Sequence, residues 1–212
     1  MTSREFRDRL ARRLQHAKVT VPPERVLAGL ESYFELLSRW NRKINLTALP
    51  LDKPTDETFD RLFCEPLAAS RYFPAVINHW YDLGTGGGSP AIPLKIAVQK
   101  PALTMVESKV RKAAFLREAV RTLNLSGTQV ENARFEEIAS SRRASSQLIS
   151  VRAVRPDSGL QKVAATLLEP NGLLLLFGTS RKSGVLLGFE LIETTPLSVE
   201  RDSFLSVHRR SA

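Results

Sequence analysis

With 212 residues and 42% hydrophobic content, the chain can bury one sizeable core, so one compact unit is expected rather than a disordered or fibrous chain. A formal charge of +9, carried mainly by arginine, favours an anionic polymer as partner, although a basic soluble protein need not bind one. A lone cysteine, Cys64, excludes an internal disulfide framework and a cysteine-rich zinc site; no apolar N-terminal run reads as a signal peptide, and no segment reaches the ~18 consecutive apolar residues of a membrane span, so the cytoplasm is the expected compartment.

In chain order, Phe6, Leu10 and Leu14 recur at helical spacing, and Leu27, Leu30, Phe34, Leu37 and Trp40 mark a second amphipathic helix beyond Pro22 and Pro23. The first helix carries Arg4, Arg7, Arg9, Arg12 and Arg13, which suit a phosphate contact or equally a solvated face. A joint rich in proline and aspartate (49–56) precedes another helix, from Glu57 to about Arg71. From His79 the pattern changes. Strands are expected near 79–83, 102–107, 128–131, 147–151 and 171–178, with helices near 89–99, 109–124 and 158–168; this alternation argues for right-handed βαβ units and a parallel sheet. Strands near 188–194 and 203–209 are joined by too few residues for a helical crossover, so an antiparallel hairpin closes the sheet. The polar stretch Ser140 to Ser146 reads as a surface loop.

The first strand runs into Asp82-Leu83-Gly84-Thr85-Gly86-Gly87-Gly88-Ser89-Pro90, and Glu107 follows roughly 20 residues after the last glycine. Glycines allow a sharp turn and close approach to a ligand, and a carboxylate ending the next strand can take both hydroxyls of a ribose. The spacing departs from G-x-G-x-x-G. Asp82 at the loop entrance suits an amino group and a sulfonium better than a pyrophosphate, and Pro90 and Pro93 remove N–H donors from the mouth of the next helix. Lys109, Arg111 and Lys112 crowd the first turn of the helix after Glu107, where cations oppose the helix dipole; contact with an RNA backbone would account for them, as would a solvated helix start.

Several segments together resemble the RsmG (GidB) family of guanine-N7 methyltransferases of 16S ribosomal RNA. They are Trp40-Asn41-Arg42-Lys43-Ile44-Asn45-Leu46-Thr47, the glycine loop with Ile92-Pro93-Leu94, and Glu107-Ser108 leading into Lys112-Ala113-Ala114-Phe115-Leu116-Arg117. Arg134-Phe135-Glu136-Glu137, Val151-Arg152-Ala153 and the Pro170-Asn171-Gly172 turn continue the match. The resemblance implies an α/β fold, the mostly parallel Rossmann-like sheet of class I methyltransferases with its C-terminal antiparallel hairpin (76–212), preceded by an N-terminal helical extension (1–75). It implies S-adenosylmethionine as cofactor and 16S ribosomal RNA or the small ribosomal subunit as partner, with the protein acting as a monomer. Gly84, Gly86 and Gly88, with Ser89, would line the methionine end of the cofactor, Asp82 would meet its amino group, Glu107 its ribose, and the backbone at Phe135 and Glu136 its adenine. Arg152 would lie at the methyl-donor end facing the target base, as the catalytic residue. Four positions depart from the family pattern: Ser89 replaces a bulky apolar residue, Ala91 a glycine, Phe63 a histidine and Phe177 a lysine.

Guanine N7 carries an in-plane lone pair and no proton, so methylation there needs no general base. That fits three histidines, His16, His79 and His208, that form no cluster in the sequence. Arg152 suits orientation of the base, since a guanidinium donates in a planar fork and stays protonated; pairing with a local carboxylate is its structural alternative. Arg134 and Arg201 join Lys109, Arg111 and Lys112 as candidate RNA contacts. Two other readings remain open from sequence: a nicotinamide-dependent oxidoreductase, which would use Glu107 equally well, and an RNA-binding module that keeps the fold without transferring methyl groups.

Overall fold

The computed structural model describes residues 1–179, 186–198 and 200–211. Its strands are β1 (His79–Leu83), β2 (Ala102–Val106), β3 (Thr128–Glu131), β4 (Ser146–Arg152), β5 (Leu168–Gly178), β6 (Phe189–Pro196) and β7 (Phe204–Arg210). They form one sheet in the order β3-β2-β1-β4-β5-β7-β6. The first five are parallel, and β7 lies antiparallel between β5 and β6, so the α/β sheet with its terminal hairpin is the one expected. Chain progression reverses between β1 and β4, and ligands of open parallel sheets bind beyond the carboxyl ends of the strands at such a switch point.

Helices α5 (Ala91–Val98), α6 (Val110–Thr122) and α8 (Ser158–Leu167) fall where the apolar spacing puts them. Helix α7 (Phe135–Ser141) is an addition. The expected loop from Ser140 to Ser146 is corrected at both ends: Ser140 and Ser141 finish α7, and Ser146 opens β4, fully buried with its hydroxyl 2.7 Å from the Leu148 carbonyl. Among the described residues no helix is long and apolar enough to cross a membrane.

The N-terminal segment folds as α1 (Ser3–His16) and α2 (Glu24–Asn41), then as a continuous helical run made of α3 (Asp56–Phe59), a wide π turn (Asp60–Cys64), α4 (Glu65–Ala69) and a final 3-10 turn (Ser70–Tyr72). A capping box starts α1, with Thr2 and Glu5 exchanging bonds to each other's backbone N–H. Its apolar stripe carries Phe6 into a ring cluster with Phe34, Phe59 and Phe63, all buried. Phe63 is therefore a core residue, edge-on to Phe6 at 5.6 Å and to Tyr33 at 6.3 Å, and the departure from histidine falls inside the packing. The same core continues to Trp80 on β1, Phe115 on α6 and Leu175 on β5.

Ion pairs hold α1 in place and take up three of its five arginines. Arg7 pairs with Glu24 and Glu31, Arg9 with Asp56, and Arg13 with the buried Asp60 at 2.7 Å. Asp60 also takes Arg201, a candidate RNA contact, at 2.6 Å, which joins the β6–β7 connection to the N-terminal helices. Because the Arg201 side chain is still 28% exposed, water screens part of that pair. Arg201→Ala should lower stability by about 1 kcal/mol in thermal unfolding and leave the salt dependence of RNA binding unchanged. A shallower salt dependence would place Arg201 on the RNA surface.

Candidate active site

A cleft of about 640 Å3 opens where the glycine loop faces the end of α2 and the segment after it. Gly84, Gly86 and Gly88 all have positive φ (73°, 59° and 95°), the left-handed region that side chains disfavour. A Cβ on Gly88 would stand 2.5 Å from Ile92, whereas one on Gly86 would meet only the Gly84 carbonyl, at an ordinary 3.8 Å. Gly87 lets the loop approach Leu46, whose carbonyl would lie 3.1 Å from an added Cβ, and Tyr33 donates its hydroxyl to the Gly87 carbonyl at 2.7 Å. Asn41 shapes the facing segment, its side-chain oxygen accepting the N–H groups of Leu46 and Thr47 at 2.9 and 3.0 Å.

Glu107 follows β2 directly and lines this cleft. One carboxylate oxygen accepts the Gly86 N–H at 2.9 Å and the other the Lys109 N–H at 2.7 Å. Each oxygen keeps a second acceptor direction, so the carboxylate is fixed in orientation and still able to take hydroxyls. Asn132 reinforces it from the loop after β3 by donating to the Glu107 and Ser108 carbonyls at 2.9 and 3.1 Å.

Asp82 does not line the cleft; it is buried on β1 and accepts the Ser150 hydroxyl at 2.6 Å. Burial raises its pKa to about 6, against the opposing hydrogen bonds from Ser150 and Thr85. A folded acid with a raised pKa holds its proton more tightly than the unfolded chain. Stability therefore falls as pH rises from about 4 through about 6, and the loss is complete above that. Asp82→Asn removes the ionisation: without ligand, it should be more stable than the parent at pH 8 by on the order of 2–3 kcal/mol, with no difference near pH 4. Thermal unfolding at the two pH values checks this, and equal destabilisation at both would refute it.

Arg152, at the end of β4, is held from four sides. It pairs with Glu65 at 2.9 Å, donates to the Ser89 hydroxyl at 3.1 Å and to the Arg61 carbonyl, and lies over the Phe177 ring at 4.5 Å. The pairing with a local carboxylate is thus realised, and the guanidinium is fixed in orientation. Pro66 explains the free carbonyl. It has no N–H for Leu62 or Arg61 behind it, and the Glu65 N–H goes to Asp60 across the wide turn. Arg152 and the Ser89 hydroxyl supply the missing donors, the latter 3.3 Å from the Arg61 carbonyl and 3.4 Å from that of Leu62. Two of the four departures from the family pattern, Ser89 and Phe177, therefore contact Arg152, and Ala91 is buried at the start of α5.

A second cavity of about 420 Å3 lies on the other side of Arg152, at the carboxyl ends of β4 and β5 and the start of β7. It shares Arg61, Arg152 and Ala153 with the glycine-loop cleft and is walled by Pro156, Phe177 and Phe204. Lys112 also lines the glycine-loop cleft, whereas Lys109 and Arg111 stand exposed beside it at the start of α6. Arg134 caps α7, exposed, and places Phe135 and Glu136 at its first turn, outside the lining of either cavity, where their N–H groups have no intrahelical acceptor. Sequence reasoning did not single out Glu65, Arg61, Asn41 or Asn132; Pro66 inside an expected helix was the available signal for the first two.

Neither the histidines nor the cysteine lines either of the two cavities. His79 contacts Thr104 and the Ser145 carbonyl, with burial lowering its pKa; His16 pairs with Glu200; His208 is buried in β7. Cys64 is buried, which pushes its thiol pKa far up. No group of three or more metal-ligating side chains occurs among the described residues.

The cleft lined by Gly84, Gly86 and Glu107 suits a nucleoside cofactor, since each Glu107 oxygen keeps an acceptor direction for a ribose hydroxyl. Residues 26–190 match the GidB family, described as rRNA small subunit methyltransferase G. A protein named ribosomal RNA small subunit methyltransferase G from Stenotrophomonas maltophilia is 36% identical over 173 residues, covering 79% of this chain and 77% of that one. Among solved structures, a SAM dependent methyltransferase from Aquifex aeolicus superposes with a TM-score of 0.59 at 14% identity, covering 83% of this chain and 98% of its own. The [4+2]-cyclase SpnF gives the same TM-score at 14% identity, covering 91% and 98%, so fold alone does not set the chemistry.

Proposed function

The chain belongs to the GidB family of rRNA small subunit methyltransferase G proteins, and on that premise we propose how its two cavities divide the work. It is an S-adenosylmethionine-dependent methyltransferase acting on small-subunit ribosomal RNA. The finer reading is transfer to N7 of a guanine in 16S RNA, with the glycine-loop cleft for the cofactor and the second cavity for the base. The observation that carries it is the meeting of the two cavities at Arg152 and Ala153. Family membership disfavours the nicotinamide-dependent alternative.

When bound, S-adenosylmethionine supplies an activated methyl group on a sulfonium. Glu107 takes the ribose hydroxyls, and Gly84, Gly86, Gly88 and Ser89 border the methionine end. Asp82, whose carboxyl is close to half-ionised near pH 6, acts from beneath the loop and favours a cation above it. The first-turn N–H groups of Phe135 and Glu136 are assigned to the adenine edge. Arg152 orients the acceptor: its pairing with Glu65 leaves a nearly neutral unit, so its unused N–H groups can face the base without opposing the positive charge that methylation puts on the purine. No side chain has to remove a proton from N7. The rate enhancement would come from these residues holding the base and the methyl donor in a fixed relative position. The pocket requires an unstacked base, because the major groove of an RNA duplex is too narrow for N7 to be reached. Lys109, Arg111, Lys112 and Arg134, at the starts of α6 and α7, are assigned to the RNA backbone.

The test is incubation of the protein with labelled methyl donor and small-subunit RNA, or small subunits, from a strain lacking this activity, followed by mapping of the labelled base. Label at N7 of one guanine is the expected result. RNA binding without transfer would leave only a module that has kept the fold, and label on another atom would overturn the N7 reading.

A further inference from the structure

We propose that Arg61 grips the backbone phosphate of the nucleotide whose base enters the second cavity, an inference that rests on the methyltransferase reading above. Arg61 is half-buried on the π turn and lines both cavities. Its main chain is pinned, since its carbonyl accepts from Arg152 and lies 3.3 Å from the Ser89 hydroxyl. Its side chain is not. Among the described residues no carboxylate stands within ion-pair distance of Arg61, although Glu57 borders the same cleft. Arg7, Arg9, Arg13, Arg152 and Arg201 all have such partners. The junction of the cavities therefore holds one neutralised guanidinium, Arg152, and one without a counter-ion, Arg61.

The charge flow of the reaction separates their roles. The methyl group carries positive charge from sulfur to the purine ring, with the N7–methyl bond forming as the sulfur–methyl bond breaks. An unneutralised cation against the ring would oppose that shift, whereas a phosphate one sugar away keeps its negative charge throughout. A guanidinium also matches phosphate oxygens in a two-point fork. Aromatic walls for the base, Phe177 and Phe204, with a free arginine at the rim, form the usual pairing of stacking surface and phosphate contact in single-strand recognition.

The experiment uses the full chain, with Arg61→Gln and Arg61→Lys. RNA affinity is measured against salt, cofactor affinity by calorimetry, and folding by thermal unfolding. For the Gln variant, RNA affinity at low salt should drop roughly five-fold, and the slope of log affinity against log salt should become shallower by a little under one, as for one lost phosphate contact. Cofactor affinity should stay within about twofold, and the Lys variant should keep the slope of the parent. A parental slope in the Gln variant overturns the proposal. So does a cofactor loss as large as the RNA loss, which would put Arg61 on the carboxylate of S-adenosylmethionine. Because the slope is read from binding, it decides the role of Arg61 even if the parent protein transfers no methyl group, an outcome that would sink the broader reading instead. Should the Gln variant unfold, Arg61→Met, which keeps the aliphatic stem and removes the charge, carries the slope test, and a parental slope there overturns the proposal.

Discussion

Glu107→Ala is expected to weaken S-adenosylmethionine binding by roughly 100-fold while leaving RNA affinity within about twofold. Two losses combine. The ribose loses hydrogen bonds to a charged acceptor, each worth about 1.5–3 kcal/mol. The loop also loses its brace, because the carboxylate accepts the N–H groups of both Gly86 and Lys109 and so ties the turn after β1 to the start of α6. Gly86 sits at a φ of 59°, and without that acceptor its N–H must turn to water. Glu107→Gln separates the two losses. Its amide oxygen can keep one backbone partner, but its NH2 group meets the other as donor against donor, so its affinity should fall between parent and alanine. Calorimetric titration gives the values. Unchanged cofactor affinity in the alanine variant would remove Glu107 from the site, and an equal loss of RNA affinity would mean that the start of α6 had moved as well.

What the sequence makes legible follows from the range over which each feature is encoded. β1 begins and ends where its apolar run does, because a central strand of the parallel sheet is specified by its own few residues. Helix α7 escapes that logic: only Ile138 is buried among its residues, so no apolar stripe announces it, and it forms where the chain crosses back towards β4. The wide turn at Asp60–Cys64 is half legible, since Pro66 shows that carbonyls behind it lose their donors but not which distant groups replace them. In the site, local signals carried the glycine loop and Glu107, which are bonded to each other across 21 positions. The partners of the arginines lie much further along the chain. Arg152 meets Glu65 across 87 residues and Arg201 meets Asp60 across 141, so spacing along the chain cannot distinguish a guanidinium that faces RNA from one that closes the core. Phe63 and Phe177 show the same limit: the first packs among rings and the second lies under Arg152, though both stood in the sequence as lost polar contacts.

Glu65→Ala should lower stability by about 3–5 kcal/mol and reduce methyl transfer by a further 100-fold or so at temperatures where the variant is folded. Only 2% of the Glu65 side chain and 11% of that of Arg152 are exposed, so water cannot take over as counter-ion when the carboxylate is removed. The guanidinium would stay stacked on Phe177 and bonded to the Arg61 carbonyl, with its charge uncompensated beside the base cavity. Ser203 loses its partner in the same step, because its hydroxyl donates to the other Glu65 oxygen at 2.7 Å and ties the start of β7 to α4. The rate effect follows from charge: an uncompensated cation there opposes the positive charge arriving on the purine, whereas the intact pair is close to neutral. A double replacement separates structure from chemistry. Glu65→Leu with Arg152→Met exchanges the pair for apolar side chains of similar size, and such exchanges of buried ion pairs are commonly neutral in stability or better. That protein should unfold within about 1 kcal/mol of the parent and bind S-adenosylmethionine with little change, yet transfer methyl groups no better than Glu65→Ala. If it transfers them at the parental rate, Arg152 and Glu65 only join the extension to the sheet, and the residue that orients the base must be sought elsewhere along the second cavity.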